Sequence, residues 1–257
     1  MDRRSYLAAA TAAGSSLLAG CSFFAAASAP EPEVPADRLR QNGWERTDQT
    51  EQTVFERAYA GVTVTAVSNT VQYADAALAA DVEEKSLGEV TTSLNTFFAS
   101  RIDVSPALDD LPAGVGEAEI VSRVDSRART RFETQLADRG LVSIAATGER
   151  DFSVETGGTA DLVEYTAAFP VDEISFRVTD GESVALDATR IEVAGYLATW
   201  DSGDYLIVAG GAHPTENYAQ SVEESLSDAV TVSVNVDLGL TPDEYRSEIL
   251  GYVRAVG

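Results

Sequence analysis

Turn residues divide residues 141–211 into short segments, and this pattern constrains the fold more than any other feature of the sequence. The segments between the turns are rich in β-branched and aromatic residues, which predicts at least four strands. The turns are Gly157-Gly158, Asp180-Gly181 and Asp201-Ser202-Gly203-Asp204. The last two strands, RIEVAGYLATW and DYLIVAGG, lie on either side of the third turn and predict a hairpin. Because short turns join antiparallel strands, this region predicts a mostly antiparallel sheet.

Further strands are predicted nearer the N-terminus. The segment GVTVTAVSNTVQYAD alternates apolar and polar residues over part of its length and is rich in valine, which predicts a strand. Trp44 to Tyr59 is predicted to supply one or two strands of an antiparallel meander. From Asp75 to about Ser86 the pattern becomes helical and acidic, and an apolar segment follows at Val90 to Ile102.

The clearest helical pattern runs from Glu117 to Arg139. Its apolar residues recur at helical spacing on one stripe, and Gly140 follows as a stop signal. The stripe comprises Ile120, Val121, Val124, Ala128, Phe132 and Leu136. This spacing predicts an amphipathic helix that buries one face.

Two more helices are predicted near the C-terminus. Pro214-Thr215 predicts the start of a helix that runs to about Asp228. Thr241-Pro242-Asp243-Glu244 predicts a second start, with Thr241 as cap and Glu244 completing a capping box. Because no Pro/Gly/Ser-rich linker interrupts residues 43–257, we expect a single α+β domain, a mostly antiparallel sheet flanked by amphipathic helices.

The charge balance of the chain is strongly acidic. It carries 42 Asp and Glu against 18 Lys and Arg, a formal net charge of −24. Such a surface repels itself in dilute buffer, whereas at about 1 M salt the Debye length shrinks to roughly 3 Å. Lys85 is the single lysine, which differs from the Lys and Glu enrichment of hyperthermophile proteins. The composition therefore predicts a halophilic protein, and it argues against nucleic acid as a partner.

The first 20 residues have the three parts of an export signal. Arg3 and Arg4 give a basic start, a mildly apolar stretch follows, and Ala19-Gly20 are small residues before a cleavage point. The apolar stretch from Tyr6 to Leu18 is shorter than the roughly 20 residues that a membrane-spanning helix needs. Residues 1–20 are therefore predicted to be a signal peptide, and the alternative is a plain secretory signal followed by a coincidental cysteine.

Cys21 is the only cysteine in the chain, so no intrachain disulfide can form. The paired arginines resemble a twin-arginine export signal, and Leu18-Ala19-Gly20-Cys21 resembles a lipobox. This resemblance implies lipid attachment at Cys21 and anchoring on the extracellular face of the cell membrane. The proline-containing segment that follows lacks hydrophobic periodicity, and residues 21–42 are predicted to form a disordered tether.

Taken with the acidic, arginine-over-lysine composition, these motifs make the chain similar to uncharacterised secreted lipoproteins of haloarchaea. The likeness is specific for residues 1–21 and compositional beyond them. It implies a location and an environment, and it implies no catalytic residue.

Enzyme motifs are mostly missing from the sequence. Zinc sites draw on several Cys or His residues, and the chain has one of each; no phosphate-binding loop or G-x-S-x-G motif is present. His213, the sole histidine, is predicted in a loop before a helix, where a surface residue is favoured over a general base. Asp201, Asp204 and Glu216 would bind Ca²⁺ if they lay together, although a hairpin turn explains the first two. No cofactor and no metal is expected.

Five arginines are concentrated in the predicted helix 117–139: Arg123, Arg127, Arg129, Arg131 and Arg139. Arg123, Arg127 and Arg131 fall at four-residue steps, which predicts a row along one helix face that could engage carboxylates or phosphates. The alternative is ion pairing within the protein, since Glu119 precedes Arg123 by four residues and Asp125 precedes Arg129 by four.

Two functions from different classes remain. The missing motifs favour a non-catalytic surface lipoprotein that binds an unknown protein or small-molecule ligand. The alternative is an extracellular hydrolase that uses acidic residues and His213, because paired carboxylates have no fixed spacing in sequence.

Overall fold

The computed structural model describes residues 28–59, 61–86, 88, 90–111, 116–179, 182–227 and 230–257. The predicted export signal at Arg3 and Arg4 and the predicted lipid attachment site at Cys21 lie outside these residues. Among the described helices, none is both long enough and apolar enough to cross a membrane.

Eleven strands form within the described residues. In chain order they are β1 (Trp44–Tyr59), β2 (Val62–Asp75), β3 (Thr96–Ser105), β4 (Val142–Ser153), β5 (Thr159–Val171), β6 (Ile174–Thr179), β7 (Glu182–Leu186), β8 (Thr189–Asp201), β9 (Leu206–Pro214), β10 (Ala219–Ser227) and β11 (Val230–Asp237). Seven of them make one sheet in the order β1-β2-β3-β9-β8-β5-β4, and every neighbouring pair is antiparallel. The other four make two ribbons, β6 with β7 and β10 with β11. The prediction of a single domain with a mostly antiparallel sheet is confirmed, and the predicted hairpin is the β8–β9 pair.

The described helices are few. They are α1 (Ala36–Gln41), α2 (Ala76–Lys85), α3 (Glu117–Asp138) and α4 (Pro242–Arg254), with a short 3₁₀ turn at Leu108–Asp110. The helices predicted after Asp75, from Glu117 and after Thr241 are therefore present. The capping box at α4 is absent, because Thr241 makes no side-chain capping bond and its backbone oxygen instead accepts the N–H of Glu244 at 3.1 Å.

The sheet buries apolar side chains on both faces. Successive residues of a strand face opposite sides, and in the fully buried strand β9 Ile207 and Val208 accordingly belong to different core clusters. Ile207 packs in a cluster with residues of α1 and α4, whereas Val208 packs with residues of α3. A third cluster joins α2 to the β10–β11 ribbon.

Helix α3 approaches the sheet closely at strand β8. Gly195 makes this possible, because a Cβ atom at that position would lie 3.1 Å from the Phe132 ring. Phe132 is buried and packs edge-on against Tyr165, with ring centroids 5.2 Å apart and an interplanar angle of 69°. This aromatic contact fixes α3 over the sheet.

Residues 29–42 are part of the folded domain, which corrects the predicted tether over residues 21–42. Leu39 in α1 is fully buried, and Glu33 pairs with Gly257 through two backbone hydrogen bonds of 3.0 Å. The prolines of this segment suppress helical periodicity without preventing such pairing. A segment whose sequence is typical of a linker therefore packs against the C-terminus.

The helix predicted from Pro214 to about Asp228 is wrong. Strand β9 continues through Pro214, and the described residues that follow form β10, which pairs with β11. In β11 valine occupies every second position, and Val234 lies opposite Val222 of β10. Cross-strand pairing of this kind outweighs the weak helix preference of the acidic segment.

Candidate functional site

A cleft of about 240 Å³ lies between α3 and strands β1, β2 and β3; we call it the α3 cleft. Its lining residues are Thr50, Gln52, Thr53, Val54, Ser68, Thr70, Gln72, Phe98, Ser100, Ile102, Val124, Arg127, Ala128, Arg131, Phe132, Gln135 and Val208. The cleft exists because α3 packs on strands β4, β8 and β9, whereas its adjacent face lies over polar side chains of β1, β2 and β3. Two guanidinium groups thus lie across from hydroxyl and amide groups.

The predicted arginine row divides into two parts. Arg127 and Arg131 line the α3 cleft, and among the described residues neither has an ion-pair or hydrogen-bond partner. Arg123 does not line it, and its guanidinium instead donates to Glu119 one helical turn earlier, at 3.2 Å. Two of the three arginines of the predicted row thus line the α3 cleft, and the third is paired within the helix.

Arg129 points away from the cleft and has a structural role. It donates to Asp125 at 2.7 Å within α3 and to Glu149 of β4 at 2.9 Å. These partners raise the pKa of Arg129 above its usual range and lower the pKa of Glu149. The internal pairing that the sequence predicted for Arg129 is present.

The floor of the cleft is a polar patch on strands β2 and β3. Ser68, Thr70 and Gln72 alternate along one face of β2, and Ser100 lies opposite Thr70 on β3. Thr70 Oγ1 donates to Ser100 Oγ at 2.9 Å, and Ser68 donates to the carbonyl of Gln52 at 3.3 Å. Ser68 and Ser100 are both buried.

The arginine that follows the last residue of α3, its C-cap, orders this floor. Arg139 donates to the side-chain oxygen of Gln72 at 3.1 Å. Burial lowers the pKa of Arg139, and among the described residues this guanidinium has no carboxylate partner. Because the oxygen of Gln72 is used by Arg139 and the lone pair of Ser100 by Thr70, the amide N–H₂ and the hydroxyl proton of these residues stay available as donors.

The α3 cleft lacks the acidic residues that dominate the rest of the chain. The sequence has 42 Asp and Glu in 257 residues, yet none of the residues that line the cleft is acidic. Its charged groups are two arginines; on the floor Ser100 and Gln72 retain donors, whereas Ser68 and Thr70 have donated their hydroxyl protons and present oxygen lone pairs. Such an arrangement favours a ligand that carries negative charge.

The sole histidine is buried in the central strand β9, which corrects its predicted loop position. His213 pairs with Ala194 of β8, and its ring stacks on Tyr196 with centroids 5.7 Å apart. Nδ1 lies 2.7 Å from the oxygen of Pro214, and Nε2 has no partner among the described residues. Burial lowers the pKa of His213, so the ring is neutral. The loop arrangement expected for a general base is therefore not the one found.

Buried carboxylates elsewhere have local structural partners. Asp75 caps α2 by accepting the N–H of Leu78 at 2.9 Å, and it also accepts from Asn95 at 3.1 Å. Glu248 of α4 accepts from Trp44 at 3.2 Å and from Asn42 at 3.0 Å, and burial raises its pKa. Within the described part of the chain, no group of three or more His, Cys, Asp or Glu side chains is placed to hold a metal ion. Asp201 closes its turn by accepting the N–H of Gly203.

The floor of the cleft was not predicted from the sequence. Ser68, Thr70 and Gln72 are polar residues on the face of β2 that elsewhere buries Val64 and Ala66. The available signal was this switch from apolar to polar residues at every second position of one strand. It shows that a face is not fully packed, but it does not show which helix lies above it.

Comparison with known proteins gives one family. A family described as a domain of unknown function (DUF6517) matches residues 31–257. Neither the curated proteins nor the solved structures contain a significant match to the chain.

Proposed function

The chain belongs to the DUF6517 family, whose description assigns no activity, and we propose from its sequence and its cleft that it is a non-catalytic binding module at the cell surface. In this proposal residues 1–20 direct export, lipid on Cys21 anchors the protein to the outer face of the membrane, and the α3 cleft is the binding site. One lipid chain gives only marginal membrane binding, so stable anchoring needs a second chain on the modified cysteine.

The observation that carries the binding proposal is the composition of the α3 cleft. It combines Arg127 and Arg131 with a polar floor, and none of its lining residues is acidic in a chain of net charge −24. Concave sites with a few convergent polar groups are the usual form of ligand sites.

The flanking of the sheet by helices is part of this proposal. Apolar residues of α3 and of α4 belong to different core clusters, which supports their lying on opposite faces. Helix α3 would then act as the wall of the cleft, while Tyr252 of α4 contacts both Trp44 of β1 and Asn42 of the N-terminal segment.

The binding role can be tested with material from the native environment. The full chain is mixed with a cell extract that ultrafiltration has separated into macromolecules and small molecules, and the midpoint of thermal unfolding is measured. A ligand of either kind that binds the native state raises this midpoint. We expect one of the fractions to do so for the parent and for Arg123→Gln, and neither to do so for the double variant Arg127→Gln/Arg131→Gln.

Arg123→Gln is the control, because it removes one arginine charge from the same helix outside the cleft, where the double variant removes two within it. If no fraction raises the midpoint of the parent, or if the double variant responds as the parent does, the α3 cleft is not the binding site. The double variant must unfold at the same temperature as the parent in buffer alone for the comparison to hold, and the absence of ion pairs at Arg127 and Arg131 among the described residues predicts that it will.

Anchoring is tested separately with Cys21→Ala. The full chain carrying this substitution should leave the membrane fraction, because the thiol is the only site for a lipid thioether. A variant that stays with the membranes as firmly as the parent contradicts the anchor and leaves the proposed binding site unaffected.

A further inference from the structure

The size of the α3 cleft limits what it can hold. Its volume is about 240 Å³. That volume lies below the range of about 300–1,000 Å³ typical of drug-sized ligands. The cleft therefore fits a molecule the size of a small organic acid, and a folded partner could insert only a single side chain.

The cleft is lined by both polar and apolar side chains. Arg127 and Arg131 are exposed on α3, one turn apart, so their guanidinium groups reach the same ligand from the solvent side. Apolar side chains lie beside the polar floor, namely Val54, Phe98, Ile102, Val124, Phe132 and Val208. A ligand that contacts both kinds of side chain has an anionic head and a short apolar body.

The floor adds directional donors to the two guanidinium groups. Ser100 accepts from Thr70, and Gln72 accepts from Arg139, so each presents its remaining function as a donor. No carboxylate lines the cleft, so a cationic ligand would find no group of opposite charge there. An oxyanion, by contrast, can accept from guanidinium, hydroxyl and amide groups together, and charge-assisted bonds of this kind are the stronger class.

We propose that the α3 cleft binds a small organic anion, a carboxylate or a phosphate monoester attached to a short apolar group. This inference rests on the proposed function and specifies the ligand of that site. Both anions share the chemistry that the cleft recognises, namely oxygen atoms that accept from two adjacent arginines. The apolar body would lie against Phe98 and Phe132, whose ring centroids are 5.8 Å apart.

The inference is tested by calorimetric titration of the full chain, extracted in mild detergent, with four probes that share one ring. Benzoate and phenyl phosphate carry the two anionic heads, benzamide is the neutral counterpart, and benzylammonium is the cationic one. The titrations are run at one constant molar NaCl concentration, because concentrated salt screens the repulsion between the surface carboxylates and the anion. We expect saturable binding of at least one anion and no saturable binding of benzamide or benzylammonium.

The titrations with benzoate and phenyl phosphate distinguish a carboxylate ligand from a phosphate monoester. Tighter binding of benzoate assigns the site to carboxylates, and tighter binding of phenyl phosphate assigns it to phosphate monoesters. In the double variant Arg127→Gln/Arg131→Gln the dissociation constant of the bound anion should rise about tenfold or more, because each of the two substitutions removes a charge-assisted contact. In the control Arg123→Gln it should stay within about twofold, since that guanidinium is engaged by Glu119.

Three results overturn the inference. One is the absence of saturable binding for both anions, another is binding of benzamide as tight as that of benzoate, and the third is an equal loss of affinity in Arg123→Gln. If the macromolecular fraction of the extract stabilises the parent through Arg127 and Arg131 while neither anion binds, the proposed function stands and the small-anion ligand is rejected. If neither the extract nor the probes act through these arginines, both proposals fail.

Discussion

Replacing Arg129 separates the structural arginine of α3 from the two that line the cleft. Arg129 contacts Asp125 at 2.7 Å and Glu149 at 2.9 Å, and its side chain is 28% exposed. Arg127 lies two residues earlier on the same helix and, among the described residues, has no such contact. The same substitution to Gln at the two positions should therefore have different effects on stability.

The magnitude follows from the partners of Arg129. Glu149 is 56% exposed, so solvent screens that contact and we assign it no free energy. Asp125 is 25% exposed, and its second oxygen is buried without a partner. Removing the guanidinium loses an i,i+4 pair of about 0.5 kcal/mol and leaves a poorly satisfied carboxylate that costs about 1 kcal/mol. We expect Arg129→Gln to lower the free energy of unfolding by about 1–2 kcal/mol.

Thermal unfolding measures this difference. For a domain of this size a loss of about 1–2 kcal/mol lowers the midpoint by about 2–8 °C, whereas Arg127→Gln should leave it within about 1 °C because exposed side chains without partners contribute little. Urea unfolding with an unchanged m-value would show that the denatured state is not the cause. Equal losses for the two variants would refute the division of the α3 arginines into structural and cleft-lining groups.

Three further predictions concern salt and pH. Ion pairs of the described residues engage nine carboxylates of the 42 in the chain, so the rest repel one another and the unfolding midpoint should rise steeply from low to molar NaCl; a flat midpoint would contradict the halophile proposal. Burial lowers the pKa of His213, so the native state binds fewer protons than the unfolded state below about pH 6.5 and its stability falls on acidification there. NMR titration of this one histidine should give a pKa below that of a free histidine side chain, and His213→Gln should reduce the loss of stability at acidic pH. Burial raises the pKa of Glu248, so its ionisation destabilises the native state as pH rises through the folded pKa; Glu248→Gln should raise the unfolding midpoint relative to the parent at pH 7 and less so at pH 4, and a larger gain at pH 4 would contradict the assignment.

Much of the fold could be predicted from local patterns. Strands β2, β8 and β9 and helix α3 follow apolar periodicity and turn residues that lie within each segment. The segment after Pro214 could not be predicted in this way, because its conformation depends on pairing with β11. The position of residues 29–42 depends on contacts with the C-terminus, more than 200 residues away, such as those between Glu33 and Gly257. Periodicity within a segment contains no information on such partners.

The candidate site was predictable only on its helical side. Four-residue spacing placed Arg127 and Arg131 on one face of α3, and the structure adds that this face lies across from β2 and β3. Ion pairs from within the helix and from another strand both remove arginines of α3 from the row. Glu149 of β4 pairs with Arg129, and Glu119 pairs with Arg123 within the helix. Sequence spacing allowed Arg123 either a place in the binding row or a pair with Glu119, and the structure shows the pair.

The acidic surface and the arginine cleft act on an anionic ligand in opposite directions. At low salt the net charge of −24 repels an approaching anion over the Debye length of about 30 Å at 0.01 M, whereas at about 1 M that length is roughly 3 Å. Long-range repulsion then disappears. A contact of about 2.8 Å between a guanidinium nitrogen and an oxygen of the anion is shorter than this Debye length, so salt screens it less. High salt therefore removes the repulsion from the many surface carboxylates more completely than it weakens the contacts with Arg127 and Arg131. An anion site in so acidic a protein is best suited to concentrated salt, because only there is it governed by the residues that line it.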